Sequence, residues 1–449
     1  MNIFLTLPLI VTLLSLSSPT NTFSGKLTHH ANQELTLTGF DYYESFVLSK
    51  DKIDDNGSFN LEYPENYKGM AILTTQDNNS LVVSLNEPNI VLNGTHLKAI
   101  DSINFLNSFE NRQLIALSNS YNYNSNIYKA WRYLFPIYKK KELLGLDGQQ
   151  ELAKLIEEEL NRIETLDREA IKNLPKESYL RWFAPLRNLV NDMPKSVFNY
   201  NEKILQYIQQ FREINFNNPK FKTSGLFKEL IEGHYMLLEN MGQPLDSVII
   251  QMNTSTDYLI KNLEGNDALL NDITNQLFFY FEKRSMFKAS EHLAVSMLSN
   301  SQCHLTDDQL KKYEAYRKLK VGNTAPEITF TDGTKLSNYN KNTLLVFGAS
   351  WCPLCKKDAW KLLNYFEDWK SKGLEVVYIS MDTDKELFKT AYSDAPWQIY
   401  SDYKGWESQA VKDYYITGTP SYFLLDKEQK ILVRPISLEQ VDTWLKYKI

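Results

Sequence analysis

Trp351, Cys352, Pro353, Leu354 and Cys355 stand where a core strand ends and a helix begins, which restricts this part of the chain to few folds. Upstream, Leu344, Leu345, Val346 and Phe347 form a short apolar run that fits a buried strand. Downstream, Lys356 to Leu363 has helical spacing. Two positions three apart on a first helical turn are neighbours on one face, close enough for their sulfurs to join. Pro353 suits that turn, because the N–H it lacks would have been an orphan donor. Cys352 then sits at the positive end of the helix, where free N–H groups favour a thiolate. Lys356 and Lys357 add positive charge nearby. This arrangement suits thiol–disulfide exchange.

A C-x-x-C pair is also half of a structural zinc site, which needs two further ligands. The chain has only one other cysteine, Cys303, with His304 beside it in a distant segment. The strand-to-helix context favours redox chemistry over metal. No metal and no cofactor is expected.

Further landmarks follow from Val321 onward. Gly322 to Pro326 with Asp332, Gly333 and Leu336, then Val346 to Cys352, then Gly418, Thr419 and Pro420, then Phe423 to Asp426, occur in that order. In this combination the segment resembles the thioredoxin-like thiol–disulfide oxidoreductases of bacterial envelopes, the TlpA/ResA type. The resemblance implies an α/β thioredoxin-like domain with Cys352 as attacking nucleophile and Cys355 as resolving thiol. It implies a cis Thr419–Pro420 bond, the one kind of peptide bond that goes cis at small cost. The backbone of Thr419 would face the disulfide and bind an extended substrate segment, with Pro420, Trp351 and Pro353 beside it.

Two positions depart from family patterns. Thioredoxins proper carry a buried Asp six residues before the first Cys, and here that residue is Val346. TlpA/ResA-type proteins often carry a glutamate three residues past the second Cys, where this chain has Asp358. Asp358 is therefore a candidate proton acceptor for the thiols, or simply an acidic residue that the helix dipole favours. A peroxidase would need a Thr three residues before its reactive Cys; that position is Ala349.

The N-terminus runs uncharged from Ile3 to Leu16 and breaks into Ser17, Ser18, Pro19 and Thr20. The run is shorter than the ~20 residues of a membrane span and suits a signal-peptide core. No Lys or Arg precedes Lys26, and no Cys follows the run to carry a lipoprotein anchor. Export to the periplasm or cell envelope is expected, with cleavage near Thr22 or retention as an uncleaved anchor.

A chain of 449 residues holds two or three domains, and a net charge of −6 gives no basic footprint for nucleic acid. Alternation at Leu35 to Phe40, a hairpin turn signal at Asp54 to Phe59, and strands at Asn60 to Tyr63, Leu81 to Leu85 and Ile90 to Leu92 predict a small β-sandwich. It resembles the β-domain that often precedes TlpA-like domains in Bacteroidetes-type envelope proteins. From Ile100 to Leu319 the pattern is helical; Leu152, Leu155, Ile156 and Leu160 form one apolar stripe.

The reading is a multidomain chain: signal peptide 1–22, β-sandwich 23–97, all-α domain 98–318 and thioredoxin-like domain 319–449. Its function is exported thiol–disulfide exchange with disulfide-containing envelope proteins. The resemblance supplies a membrane thiol donor as electron source. The alternative is a binding protein that uses the thioredoxin-like domain as an interaction platform.

Overall fold

The computed structural model describes residues 19–140, 149–199, 203–300 and 304–448. The apolar run of the expected signal peptide (Ile3 to Leu16) and Cys303 lie outside them. The chain forms two compact units, Met1–Gly242 and Gln243–Ile449. The helical segment is divided between the two units.

The described residues of the first unit begin with eight strands: β1 (Thr20–Leu27), β2 (Glu34–Asp41), β3 (Glu44–Lys52), β4 (Ser58–Pro64), β5 (Met70–Thr75), β6 (Ser80–Ser84), β7 (Ile90–Gly94) and β8 (Asn104–Phe105). They make two four-stranded sheets, ordered β4-β1-β7-β8 and β3-β2-β5-β6. Alternate residues of both sheets enter one core, among them Phe23, Leu35, Leu37, Leu61, Leu73, Val83 and Leu92. β1 already holds Thr20 to Thr22, and Phe105 closes the core, so this β region outruns the span 23–97 at both ends.

The turn signal at Asp54 to Gly57 forms as read. Asp54 accepts from the N–H groups of Asn56 and Ser58, each at 2.8 Å, and Gly57 takes φ +82°. The strands it joins do not pair, which corrects the reading of a hairpin. β3 pairs with β2 and β4 with β1, so the turn carries the chain from one sheet to the other. Local turn chemistry fixes the reversal, whereas pairing follows from which apolar faces share the core.

Among the described residues five α-helices follow in this unit: α1 (Phe109–Lys139), α2 (Gln149–Lys172), α3 (Tyr179–Asn199), α4 (Ile204–Phe211) and α5 (Phe227–Glu239). α1 is tied to the β region at its first turn. Ser108 caps it, and Glu87 accepts from the N–H groups of Phe109 and Glu110 at 3.0 and 3.1 Å, placing negative charge at the positive helix end. The stripe expected on α2 is rotated. Ala153, Ile156, Leu160 and Ile163 are buried, while Leu152 and Leu155 are exposed. At 100° per residue Ala153, Ile156, Leu160 and Ile163 centre on one face, and Leu152 and Leu155 fall at its margin, so the buried stripe is turned towards Ala153.

In the second unit, α6 (Leu245–Asn262), α7 (Asp267–Lys283), α8 (Phe287–Ser299) and α9 (Asp307–Lys318) precede an α/β fold. That fold comprises β9 (Asn342–Gly348), α10 (Pro353–Ser371), β10 (Leu374–Ser380), α11 (Lys385–Tyr392), β11 (Gln398–Tyr400), α12 (Gln409–Asp413), β12 (Ser421–Leu425), β13 (Ile431–Val433) and α13 (Leu438–Lys448). The sheet order is β11-β10-β9-β12-β13, with β9, β10 and β11 parallel and β12 and β13 antiparallel additions. β9 is central, which explains its unbroken apolar run: both faces are covered. Leu344 and Val346 pack with Leu362, Phe366 and Trp369 of α10 and with Leu438, Val441 and Leu445 of α13. Leu345 and Phe347 face the other way, onto Val411, Tyr414 and the extension residues Ala325, Ile328, Phe330 and Leu336. No helix among the described residues is long and apolar enough to cross a membrane.

Glu291 of α8 is buried. Burial pushes its carboxyl up to about 7, against the pull of Arg434, Lys320 and Lys288 and with a further push from Glu282. Its folded value therefore lies above its unfolded one, near 4.3. The native state holds the proton more tightly, so this contribution is fully present below about pH 4 and is lost as pH rises through 7. A loss of about 3 kcal/mol over that window is expected from Glu291 alone. Urea midpoints of the wild type and Glu291→Gln between pH 4 and 8 test this; parallel curves would show that Glu291 does not titrate there.

Candidate active site

Cys352 is the N-cap of α10, and its sulfur accepts the Cys355 N–H at 3.1 Å. Pro353 follows at the first helical position. The two sulfurs are joined in a disulfide, with Cα atoms 5.2 Å apart. Both residues are nearly buried, Cys352 at 5% and Cys355 at 3% exposure, so exposure does not separate the two roles. Their neighbours differ. The Cys352 sulfur lies 3.5 Å from the Thr419 carbonyl oxygen, on the side of the cleft. The Cys355 sulfur lies inward, beside Gly348 and near the Tyr378 hydroxyl.

The Thr419–Pro420 bond is cis. Thr419 is half-buried, while Trp351, Pro353 and Leu354 are exposed around the disulfide. Asp358 lies one turn past Cys355 on α10. It accepts a hydrogen bond from the Tyr422 hydroxyl and faces Lys361 at 3.9 Å. Burial, then this bond to Asp358, holds the Tyr422 hydroxyl far above its ordinary range, so it stays a donor.

Sequence reasoning missed Asp382, just past the C-terminal end of β10. Its buried carboxylate accepts from the Ser350 N–H at 3.0 and 3.2 Å, the Ser350 hydroxyl at 2.6 Å and the Ser380 hydroxyl at 2.6 Å. Ser350 precedes Trp351, so Asp382 ties down the loop that delivers the cysteines. An acidic residue at the carboxyl end of a core parallel strand was the available signal. Asp382→Ala leaves the Ser350 N–H without its charged acceptor and is expected to cost about 2–4 kcal/mol, read from urea unfolding. Unfolding at the wild-type midpoint would show that the loop is held by other contacts.

Among the described residues, His30, Asp77 and His96 form the group of ligand-type side chains close enough to share a metal. Their protonation argues against it. His30 Nε2 accepts the Leu97 N–H at 3.3 Å, and His96 Nδ1 accepts the Lys98 N–H at 3.0 Å. A neutral imidazole with one nitrogen accepting carries its proton on the other, which then has no lone pair to offer.

Comparison with known proteins agrees with this geometry. Residues 340–431 match the family profile described as thioredoxin-like, and this part of the chain is a thioredoxin-like domain. It is similar to the thiol-disulfide oxidoreductase ResA of Bacillus thuringiensis subsp. konkukian, 26% identical over 148 residues, covering 30% of this chain and 84% of that protein. A probable nucleoredoxin 3 of Oryza sativa subsp. japonica is 32% identical over 104 residues, and the chain spans only 22% of its length. Among solved structures, a thiol-disulfide oxidoreductase from Bacteroides fragilis is 30% identical, is covered over 100% of its length and 28% of this chain, and has a TM-score of 0.26. The ResA-like resemblance read from the motifs thus holds for the C-terminal domain.

Proposed function

We propose that this protein is a thiol–disulfide oxidoreductase that works through Cys352 and Cys355. The observation that carries the reading is the cysteine pair at the N-terminus of α10, set against the cis-proline loop. Starting from the reduced form, the Cys352 thiolate attacks one sulfur of a substrate disulfide. The substrate S–S bond breaks, its second sulfur leaves as a thiolate that takes up a proton, and a mixed disulfide remains. Cys355 loses its proton and attacks the Cys352 sulfur, closing the disulfide and releasing the second substrate thiol. Two electrons pass to the substrate, and the reverse sequence oxidises a dithiol.

The helix N-terminus and the hydrogen bond from the Cys355 N–H both favour the Cys352 thiolate. Asp358, one turn from Cys355 and hydrogen-bonded to Tyr422, is the proposed acceptor of the Cys355 proton. Thr419 and Pro420, with Trp351 and Pro353, form the substrate ledge. The working location is the periplasm or cell envelope, supported by the uncharged run at Ile3 to Leu16. The substrates are disulfide-containing envelope proteins, with electrons drawn from a membrane thiol donor. The N-terminal β region is a sandwich that positions the redox domain or selects its substrates.

The deciding experiment is insulin reduction by the full chain, with its reduction potential measured against glutathione. A value near about −270 mV assigns a reductant, and one near about −120 mV an oxidant. A disulfide that exchanges with neither insulin nor glutathione would leave the domain as an interaction platform.

A further inference from the structure

The cis-proline loop does not border open solvent alone. It forms one side of a cleft of about 540 Å³ whose opposite side comes from outside the thioredoxin-like fold, from the end of α7 and the turn into α8. Lys283, Ser285 and Phe287 stand on that side, and Leu354 of α10 and Ile436 also line the cleft. The turn is locked by its own backbone: Ser285 takes φ +57°, and the N–H groups of Ser285 and Met286 bond to the Glu282 and Phe281 carbonyls at 3.0 and 2.8 Å. It is also clamped to the sheet. The Arg434 guanidinium carbon, just past β13, lies 4.2 Å from the Phe287 ring centre and 5.2 Å from that of Phe423 on β12.

The chemistry of the cleft selects its occupant. On the loop side, the N–H groups of Thr417, Gly418 and Thr419 have no backbone or side-chain acceptor among the described residues. A run of unpaired main-chain donors beside the redox pair suits a strand-like segment that supplies carbonyls. Among the residues that line it, Leu354, which stands between the two cysteines in sequence, is 62% exposed and Ile436 58% exposed, two large apolar side chains held in solvent. Phe287 adds an apolar side chain on the α8 side, among the charged Glu282, Lys283 and Arg434.

We propose that the α7–α8 turn is a specificity wall of the redox site, which makes its substrate an extended polypeptide segment with an apolar side chain next to the reacting cysteine. This rests on the exchange reaction proposed above and assigns it a substrate class. A cysteine on a broad folded surface is kept from the Cys352 sulfur by the wall, whereas a single extended strand lies between wall and loop.

The test uses the reduced full-length protein and two kinds of disulfide with the same leaving group, oxidised glutathione and linear peptides whose single cysteine is capped by glutathione. One peptide carries leucine beside the cysteine, the other glycine. Attack on the peptide sulfur releases glutathione in both, so leaving-group chemistry cancels. The leucine peptide is expected to react at least tenfold faster than oxidised glutathione and severalfold faster than the glycine peptide. Phe287→Ala and Ile436→Ala are each expected to reduce the leucine-to-glycine ratio to near one. Ile436 is exposed, so its variant reads the cleft without a folding defect. A wild type that does not distinguish the two peptides, or variants that keep the wild-type ratio, overturns the wall. A wild type inert towards glutathione and both peptides overturns the exchange reaction itself.

Discussion

Cys352→Ser is expected to reduce insulin turnover to background while leaving the protein folded, and Cys355→Ser is expected to retain attack but stall. The fold should survive the first change for two reasons. Serine is among the better N-cap residues, so the acceptor for the Cys355 N–H is kept. The disulfide closes a loop of only a few residues, and losing it costs about 2 kcal/mol in the chain-entropy account. Loss of activity with a native melting profile would therefore report chemistry. In Cys355→Ser, the mixed disulfide on Cys352 has no resolving thiol and should accumulate, visible as partner adducts on non-reducing gels. Adducts trapped by Cys352→Ser instead would exchange the two roles. Activity that survives both substitutions would remove the pair from the mechanism.

The sequence makes the redox domain legible because its key elements carry local signals. β9 is a continuous apolar run because it is central, and Pro353 and the cysteines mark the helix start through helix-terminus chemistry. What is not legible is held by contacts between distant positions. Asp382 meets Ser350 across 32 residues, and Tyr422 meets Asp358 across 64. Arg434 reaches Phe287 on a helix that composition alone assigns to a different domain. The same limit appears elsewhere. Asp54 and Gly57 specify a turn but not the sheet each flanking strand joins. The apolar residues of α2 specify a helix but not that Ala153 faces inward. In each case the missing information is which surface lies opposite, and residue type alone does not contain it.

Gly348→Ala is expected to be the most destabilising single-methyl change in the redox domain, by about 3 kcal/mol, at the upper end of ordinary overpacking. Gly348 ends β9 directly below the disulfide. A Cβ there would lie 2.0 Å from the Tyr378 hydroxyl oxygen, 2.7 Å from its ring carbon and 3.4 Å from the Cys355 sulfur. Tyr378 has little room to withdraw. It is buried on β10, its ring packs 5.3 Å from that of Tyr392, and its hydroxyl accepts from the Tyr392 hydroxyl at 3.4 Å. Burial also holds its hydroxyl well above the ordinary range, so a neutral phenol stands beside the resolving thiol. Adding Tyr378→Phe removes the atom at 2.0 Å but leaves the ring carbon too close, so the double variant should recover part of the loss and not all of it. A coupling of about 1 kcal/mol or more between the two sites is expected from a double-mutant cycle. The methyl also presses on the Cys355 sulfur, so resolution of the mixed disulfide should slow more than its formation. A Gly348→Ala protein with wild-type unfolding and wild-type resolution would show that Tyr378 and β9 can part without cost.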